Sequence, residues 1–437
     1  MSNNVPFTNQ CYESLLDSFS GQLPYSYVFQ TTNNHASWIG LEPKKIVTVQ
    51  NNQLTIKQDG QERQSALQPS SFFEQIEAAL DKNSPYFFII SSDIYRQLQA
   101  PNVPSVIFIQ PSIEIQLTNS APPTTWFSDR NTSTKFREKI LSALNSAQQI
   151  PPAPVSSFAS SSDNAWESET DTEFLERLNK AIHLLQENIG KMIICRTYRK
   201  GIDPLLNPFK LYDIYSQMEA NCAASHYANL GNNQHSLGCS PENIFELNDQ
   251  TLSFDVIAAT RGVSKNQKKD ASWRKQLIED KKENAEHMMA LERYKARLET
   301  LCKPGSYKTD FIKKIREFKH VRHLHSRLSG EIKSDISLFQ LITDSYPPLN
   351  SYPEQLVLKA DTRKEPNYFY GGMVGHMNAG WENSSCFLNL RSTLLNGDQA
   401  ITQGGVGVIN HSKAESELLE VKNKLACLMD AFEVWQG

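Results

Sequence analysis

Two pairs of glutamates are spaced as a cation site would require. Glu283 and Glu286 stand three apart in Glu283-Asn-Ala-Glu286-His287, and Glu417 and Glu420 stand three apart with Lys424 four further on. On a helix an i,i+3 pair shares a face, so each pair can present carboxylate oxygens to a hard cation such as Mg²⁺. The same spacings also describe a solvated charged face and, for Glu420 and Lys424, an ordinary i,i+4 ion pair. No His-Glu-x-x-His occurs, which excludes a zincin centre. The run Gln403-Gly-Gly-Val-Gly-Val-Ile409 lacks the Gly-Lys-Ser/Thr of a P-loop. Its bare backbone can approach an anion closely or simply form a bulged strand and turn. Glu242 in Ser-Pro-Glu, Thr260 in Ala-Ala-Thr-Arg, His323 in Val-Arg-His-Leu and Arg391 in Leu-Arg-Ser are further candidates. Each has a plain structural reading beside the functional one.

Positioning these residues takes many elements. Short strands are expected at 25–30, 37–41, 46–50 and 53–58, with Asn51 and Asn52 as a hairpin turn. A helix is expected at 71–81, then extended segments at 86–91 and 103–117. Residues 151–169, rich in Pro and Ser, read as a loop. Thr170 and Glu173 form a capping box, and Phe174, Leu178, Ile182, Leu185 and Ile189 recur at helical spacing. That helix stops at Gly190 and hands over to a strand at 191–197. A hairpin is expected through 242–247 and 251–259, charged helices across 271–301, and a last helix at about 414–435. There is no internal repeat, and the order of elements argues for α+β.

Composition sets the outer bounds. The chain has 437 residues, 39% hydrophobic and 21% charged, with 44 basic and 48 acidic side chains and a net charge of −4. That is enough apolar content for a large core and excludes general disorder. Near-neutral charge gives no reason to expect nucleic acid, and no apolar run is long enough to span a bilayer. Residues 1–10 lack the features of a secretory signal. The seven cysteines are scattered and never spaced Cys-x-x-Cys, which fits a reducing cytoplasm.

In their order, the short motifs resemble the chorismate-utilising enzymes: anthranilate synthase large subunits, aminodeoxychorismate synthases, isochorismate synthases and salicylate synthases. The match runs from about Glu173 to Phe432. It is carried by the 191–196 strand, SPE (240–242), ATRG (259–262), ENAEH (283–287), VRHL (321–324), YGG (370–372), LRS (390–392), GGVGVI (404–409) and ExxExxxK (417–424). The resemblance implies one large domain with two facing, mostly antiparallel sheets flanked by helices. Residues 1–150 would form the strand-rich part of that domain and 170–437 the chorismate-binding part. It implies Mg²⁺ held by Glu286 and Glu420, with Glu283 and Glu417 completing a four-glutamate cluster. Tyr370, Arg391 and the backbone at Gly405 match the clamp on the enolpyruvyl carboxylate, and Thr260, His323 and Lys424 match further substrate-site positions, His323 among the catalytic ones.

Lys191 matches the base of isochorismate and salicylate synthases, where ammonia-using relatives resemble QVVLSR. Apolar neighbours Met192, Ile193 and Ile194 would desolvate it. Glu242 matches the general acid. Ala258 stands where aminodeoxychorismate synthases carry a nucleophilic lysine. The segment Leu301-Cys-Lys-Pro-Gly-Ser306 resembles a stretch of the salicylate synthases. The implied activity is conversion of chorismate to isochorismate, continuing to salicylate and pyruvate. The alternatives are an enzyme that stops at isochorismate and a chorismate-binding pseudoenzyme. No glutaminase subunit is expected, and the chain would act as a monomer or homodimer. Two departures from the family pattern stand out: Ala259 replaces a glycine, and 346–353 (YPPLNSYP) differs from the usual substrate loop.

Overall fold

The computed structural model describes residues 12–15, 23–32, 36–95, 102–118, 121–128, 165–186, 190–264, 266–318, 321–345 and 366–436, with single helical positions near 140. Among them, eighteen strands join one antiparallel network. Its first face runs β8 (Met192–Gly201), β18 (Gln399–Val408), β17 (Ser392–Asn396), β10 (Gln234–Ser240), β9 (Ala224–Asn229) and β1 (Tyr27–Thr31). β1 then pairs with the start of β2 (Ala36–Gln50). The second face runs from the end of β2 through β6 (Val106–Thr118), β5 (Tyr86–Ile90), β15 (Met373–Met377) and β16 (Asn383–Leu388). It continues through β11 (Asn243–Asn248), β12 (Thr251–Gly262) and β14 (Val321–Glu331) to β13 (Lys308–Glu317). β3 (Gln53–Gln58) and β4 (Gln61–Ala66) extend the end of β2, and β7 (Ala121–Phe127) flanks β6.

The two expected sheets are therefore halves of one sheet, joined where β2 and β6 pass from one to the other. The expected strands 37–41 and 46–50 are one strand. Its register shifts between Pro43 and Lys45, where Pro43 faces Pro111 and neither can donate a ladder hydrogen bond. Tyr27, Phe29 and Trp38 of the first half share a buried cluster with Phe87, Ile89, Val374 and Phe387 of the second. Phe29 and Phe387 rings lie 5.9 Å apart, so the halves face each other across an aromatic core.

Helices cover the outside: α1 (Phe72–Ala78), α2 (Asp171–Gln186), α3 (Pro208–Met218), α4 (Gln267–Glu279), α5 (Lys281–Leu301), α6 (Leu338–Ser345) and α7 (Ala414–Gln436). The capping box forms at α2: the Thr170 N–H donates to Glu173 Oε2 at 2.7 Å, and the Glu173 N–H donates to Thr170 Oγ1 at 3.2 Å. Phe174, Leu178 and Leu185 then pack with Val421 and Leu425 of α7. The charged stretch 271–301 is two helices. Asp280 turns extended between them (ψ 118°), and its carboxylate accepts from the Glu283 N–H at 3.1 Å, restarting the helix as α5.

Most of the Pro/Ser-rich segment 151–169 and all of 346–365 lie outside the described residues. Among the described residues, no helix is long and apolar enough to cross a membrane.

Candidate active site

One cavity of about 1040 Å³ opens between the strand ends of the two sheet halves and the N-terminal turns of α5 and α7. It is lined by Lys191, Glu242, Thr260, Glu283, His323, Tyr370, Arg391, Gly405, Glu417, Glu420 and Lys424, eleven of the twelve site residues expected from the sequence. The twelfth, Glu286, lies on α5, and its side chain is outside the described residues.

Lys191 sits at the head of β8, opposite β18. A Cβ on Gly407 would stand 2.3 Å from Lys191 Cε and 3.0 Å from Nζ, so the lysine lies directly over bare backbone. Glycine at 407 is what permits that approach. Glu242 lines the same cavity and is 4% exposed. Burial raises its carboxyl to about 8, with the nearby Asp255 charge adding to the shift. The Ile257 N–H, the Tyr294 hydroxyl and Lys191 act in the opposite sense without cancelling it. At neutral pH Glu242 is mostly a neutral acid facing the cavity, the state a general acid requires.

Arg391 and Lys424 add further cationic side chains to the cavity lining. Arg391 is buried, its guanidinium lying 4.4 Å over the Phe318 ring and 3.8 Å from Glu219. Its Nη2 donates to His323 Nε2 at 3.2 Å. A guanidinium only donates, so Nε2 must accept and the ring proton belongs on Nδ1. From there it faces Thr260 Oγ1 at 3.0 Å and the Ala259 carbonyl at 3.3 Å. His323 is held well below the ordinary imidazole range, first by burial and then by the charges of Arg391 and Lys424. It is a neutral ring that fixes the direction of Arg391. Lys424 Nζ donates to the Gly405 carbonyl at 3.2 Å and pairs with Glu420 at 2.7 Å. A Cβ on Gly405 would lie 2.9 Å from the Tyr370 hydroxyl, so that phenol also rests against bare backbone.

Glu283 of α5 and Glu417 and Glu420 of α7 bring carboxylates from two helices to one cavity. Among the described residues, no group of three or more His, Cys, Asp or Glu is placed to hold a metal ion, and the Glu286 side chain lies outside them. Carboxylate oxygens are the donors Mg²⁺ takes, one or two from the protein beside waters or ligand oxygens, and Glu283, Glu417 and Glu420 supply that donor type to the cavity lining.

Ala259 is left-handed (φ 66°), at a bulge that shifts the β12–β14 register between Ala258 and Thr260. The bulge places both Ala258 and Thr260 on the cavity wall. Phe318, Glu219 and Tyr294, which hold Arg391 and Glu242, were not found by sequence reasoning. None of them belongs to a motif, and only the fold brings them to Arg391 and Glu242.

A family model described as chorismate binding enzyme matches residues 24–430. The anthranilate synthase component 1 of Mycolicibacterium smegmatis is 30% identical over 200 residues, which is 45% of this chain and 38% of that protein. The chain thus matches well under two thirds of that relative's length. Among solved structures, anthranilate synthase component I from Streptococcus pneumoniae superimposes with a TM-score of 0.72 at 17% identity, covering 90% of this chain and 92% of that one. A putative 2,3-dihydroxybenzoate-specific isochorismate synthase from Bacillus anthracis superimposes with a TM-score of 0.70 at 14% identity, covering 96% and 100%. At these identities the two likenesses show the fold.

Proposed function

The chain belongs to the family of chorismate-binding enzymes, and from that premise we propose that it converts chorismate to isochorismate by Mg²⁺-dependent attack of water at C2, and carries isochorismate on to salicylate and pyruvate. The observation that carries this reading is the placement of Lys191 and Glu242 in one cavity, the buried Glu242 carboxyl being raised to about 8. Lys191 takes a proton from the attacking water as its oxygen bonds to C2. The ring double bonds shift, and Glu242 donates its proton to the departing C4 hydroxyl, which leaves as water. One water enters and one leaves, so the step balances. A lysine base suits water as the nucleophile, and Ala258 offers no amine to compete with it. The reading requires no ammonia and therefore no glutaminase partner.

Arg391, held by His323 and Phe318, takes a carboxylate of the substrate. The Tyr370 hydroxyl and the bare backbone at Gly405 complete that clamp. Glu283, Glu286, Glu417 and Glu420 would hold Mg²⁺, which when bound supplies positive charge for the ring carboxylate. Buried apolar side chains such as Leu388 and Ile257 exclude water from the far side of the cavity. The chain would work in the cytoplasm as a monomer or homodimer.

Incubation with chorismate and Mg²⁺, without any partner enzyme, tests the reading. Salicylate fluorescence and stoichiometric pyruvate are expected. Isochorismate as the end product removes the second step, and tight chorismate binding with no turnover at any pH leaves a pseudoenzyme.

A further inference from the structure

Tyr294 lies on α5, two turns beyond Glu286, and its side chain is wholly buried. It does not line the cavity. Its ring packs against Phe254 at 5.6 Å between centroids, and its hydroxyl donates to Glu242 Oε1 at 3.4 Å. The Ile257 backbone N–H gives the same carboxyl a second anchor. We propose that Tyr294 is a positioning residue for proton delivery: its hydroxyl fixes the rotation of the Glu242 carboxyl, so that the acidic proton faces the cavity and not the protein interior. The inference rests on Glu242 being the general acid.

A carboxyl with one anchor can rotate about its terminal bond, and the torsion is soft. With two donors from two different elements it has one preferred plane. The phenol is suited to this task because it stays protonated. Burial and then the neighbouring Glu242 push its ionisation well above the ordinary tyrosine value. The groups that face Glu242 are few. Asp255 approaches from β12, Lys191 from the head of β8 and Tyr294 from α5. Asp255 is itself neutralised by Arg327 at 3.1 Å and faces His325 at 3.0 Å and Arg316 at 3.9 Å. Arg297, one turn along α5, favours ionisation of Tyr294 without offsetting its burial. Tyr294 also sits on the helix that carries Glu283 and Glu286. Its hydroxyl thereby links the helix that carries Glu283 to the Glu242 carboxyl.

The test is Tyr294→Phe, which keeps the ring contact with Phe254 and removes only the hydroxyl. The turnover number is expected to fall about tenfold with KM within twofold. The alkaline limb of the kcat–pH profile should move upward, because a bond that favours the ionised carboxylate has been lost. The same change made in Glu242→Gln should cost nothing further. A wild-type kcat with an unmoved limb, or an equal loss in the Glu242→Gln background, would overturn the inference. Undiminished turnover in Glu242→Gln alone would instead overturn the assignment of the acid. Circular dichroism checks the fold. Should the phenylalanine variant fail to fold, Tyr294→Met fills similar space and carries the same expectations.

Discussion

Replacing Gly407 by alanine should separate catalysis from stability. The added Cβ would lie 2.3 Å from Lys191 Cε and 3.0 Å from Nζ, while its third neighbour, Ile193 Cδ1, is at an acceptable 3.6 Å. Ordinary contact begins near 3.4 Å, so the lysine end must retreat by about 1 Å. The obstacle is the far end of a flexible side chain, and Gly407 is not in the left-handed region, so the fold can absorb the methyl group. Loss of glycine freedom in the unfolded chain should even add about 0.5 kcal/mol of stability. The catalytic cost is of another size. A base misplaced by about 1 Å can lower turnover by up to 100-fold. The assay is initial-rate product formation from chorismate and Mg²⁺, beside a thermal melt. We expect kcat to drop about 10- to 100-fold with Tm unchanged or slightly raised. Full activity in a normally folded variant would refute the placement of Lys191 as the base.

Three further outcomes follow from the same geometry. Glu242→Gln should lower turnover about 1,000-fold, to a residual but measurable rate, and wild-type kcat should decline above about pH 8 as the acid ionises. A carboxyl raised from 4.5 to about 8 on folding loses stability as pH climbs through that window, so the glutamine variant should be the more stable at pH 8, by up to about 4 kcal/mol, with the gain vanishing near pH 4.5. His323→Ala should raise KM for chorismate about tenfold by releasing Arg391, a difference of about 1.4 kcal/mol, and NMR titration of the wild-type enzyme should show His323 ionising only well below the ordinary imidazole range. Ala259→Gly should relieve a left-handed alanine, for a net gain of about 0.5–1 kcal/mol after the extra glycine entropy. A lower melting temperature in that variant would show that the methyl group contributes packing that the backbone conformation does not reveal.

Much of this cavity was legible because its side chains are of rare kinds in fixed local order. Lys191, Glu242, His323 and Arg391 each lie in a short segment of a strand or at its end, so the fold needs only to bring those segments together. Glutamates at 417 and 420 followed by Lys424 report a helix face directly through their spacing. Glu219 and Phe318 carry no such signal. Nothing local marks a glutamate after α3 as the neighbour of an arginine more than 170 positions later, because that contact depends on strand order. Tyr294 reads as one apolar position on a charged helix, and its hydroxyl matters only through long-range packing. The fusion of two expected strands into β2 was hidden for a different reason. Pro43 and the charged residues after it resemble a break, whereas the pair Pro43–Pro111 makes a bulge that the ladder passes through. Ala259 stands out in the sequence as a departure from glycine, but only the structure shows that its backbone is left-handed.

The account stands or falls on where the new ring oxygen comes from. Chorismate and Mg²⁺ should be incubated in ¹⁸O-water with wild-type protein and with Lys191→Ala, in the presence and absence of ammonium, and the products identified by mass spectrometry. One ¹⁸O in the ring hydroxyl of salicylate is expected from wild type, unaffected by ammonium and lost in the lysine variant. An amino-substituted product with ammonium, or unlabelled salicylate, would contradict water attack assisted by Lys191.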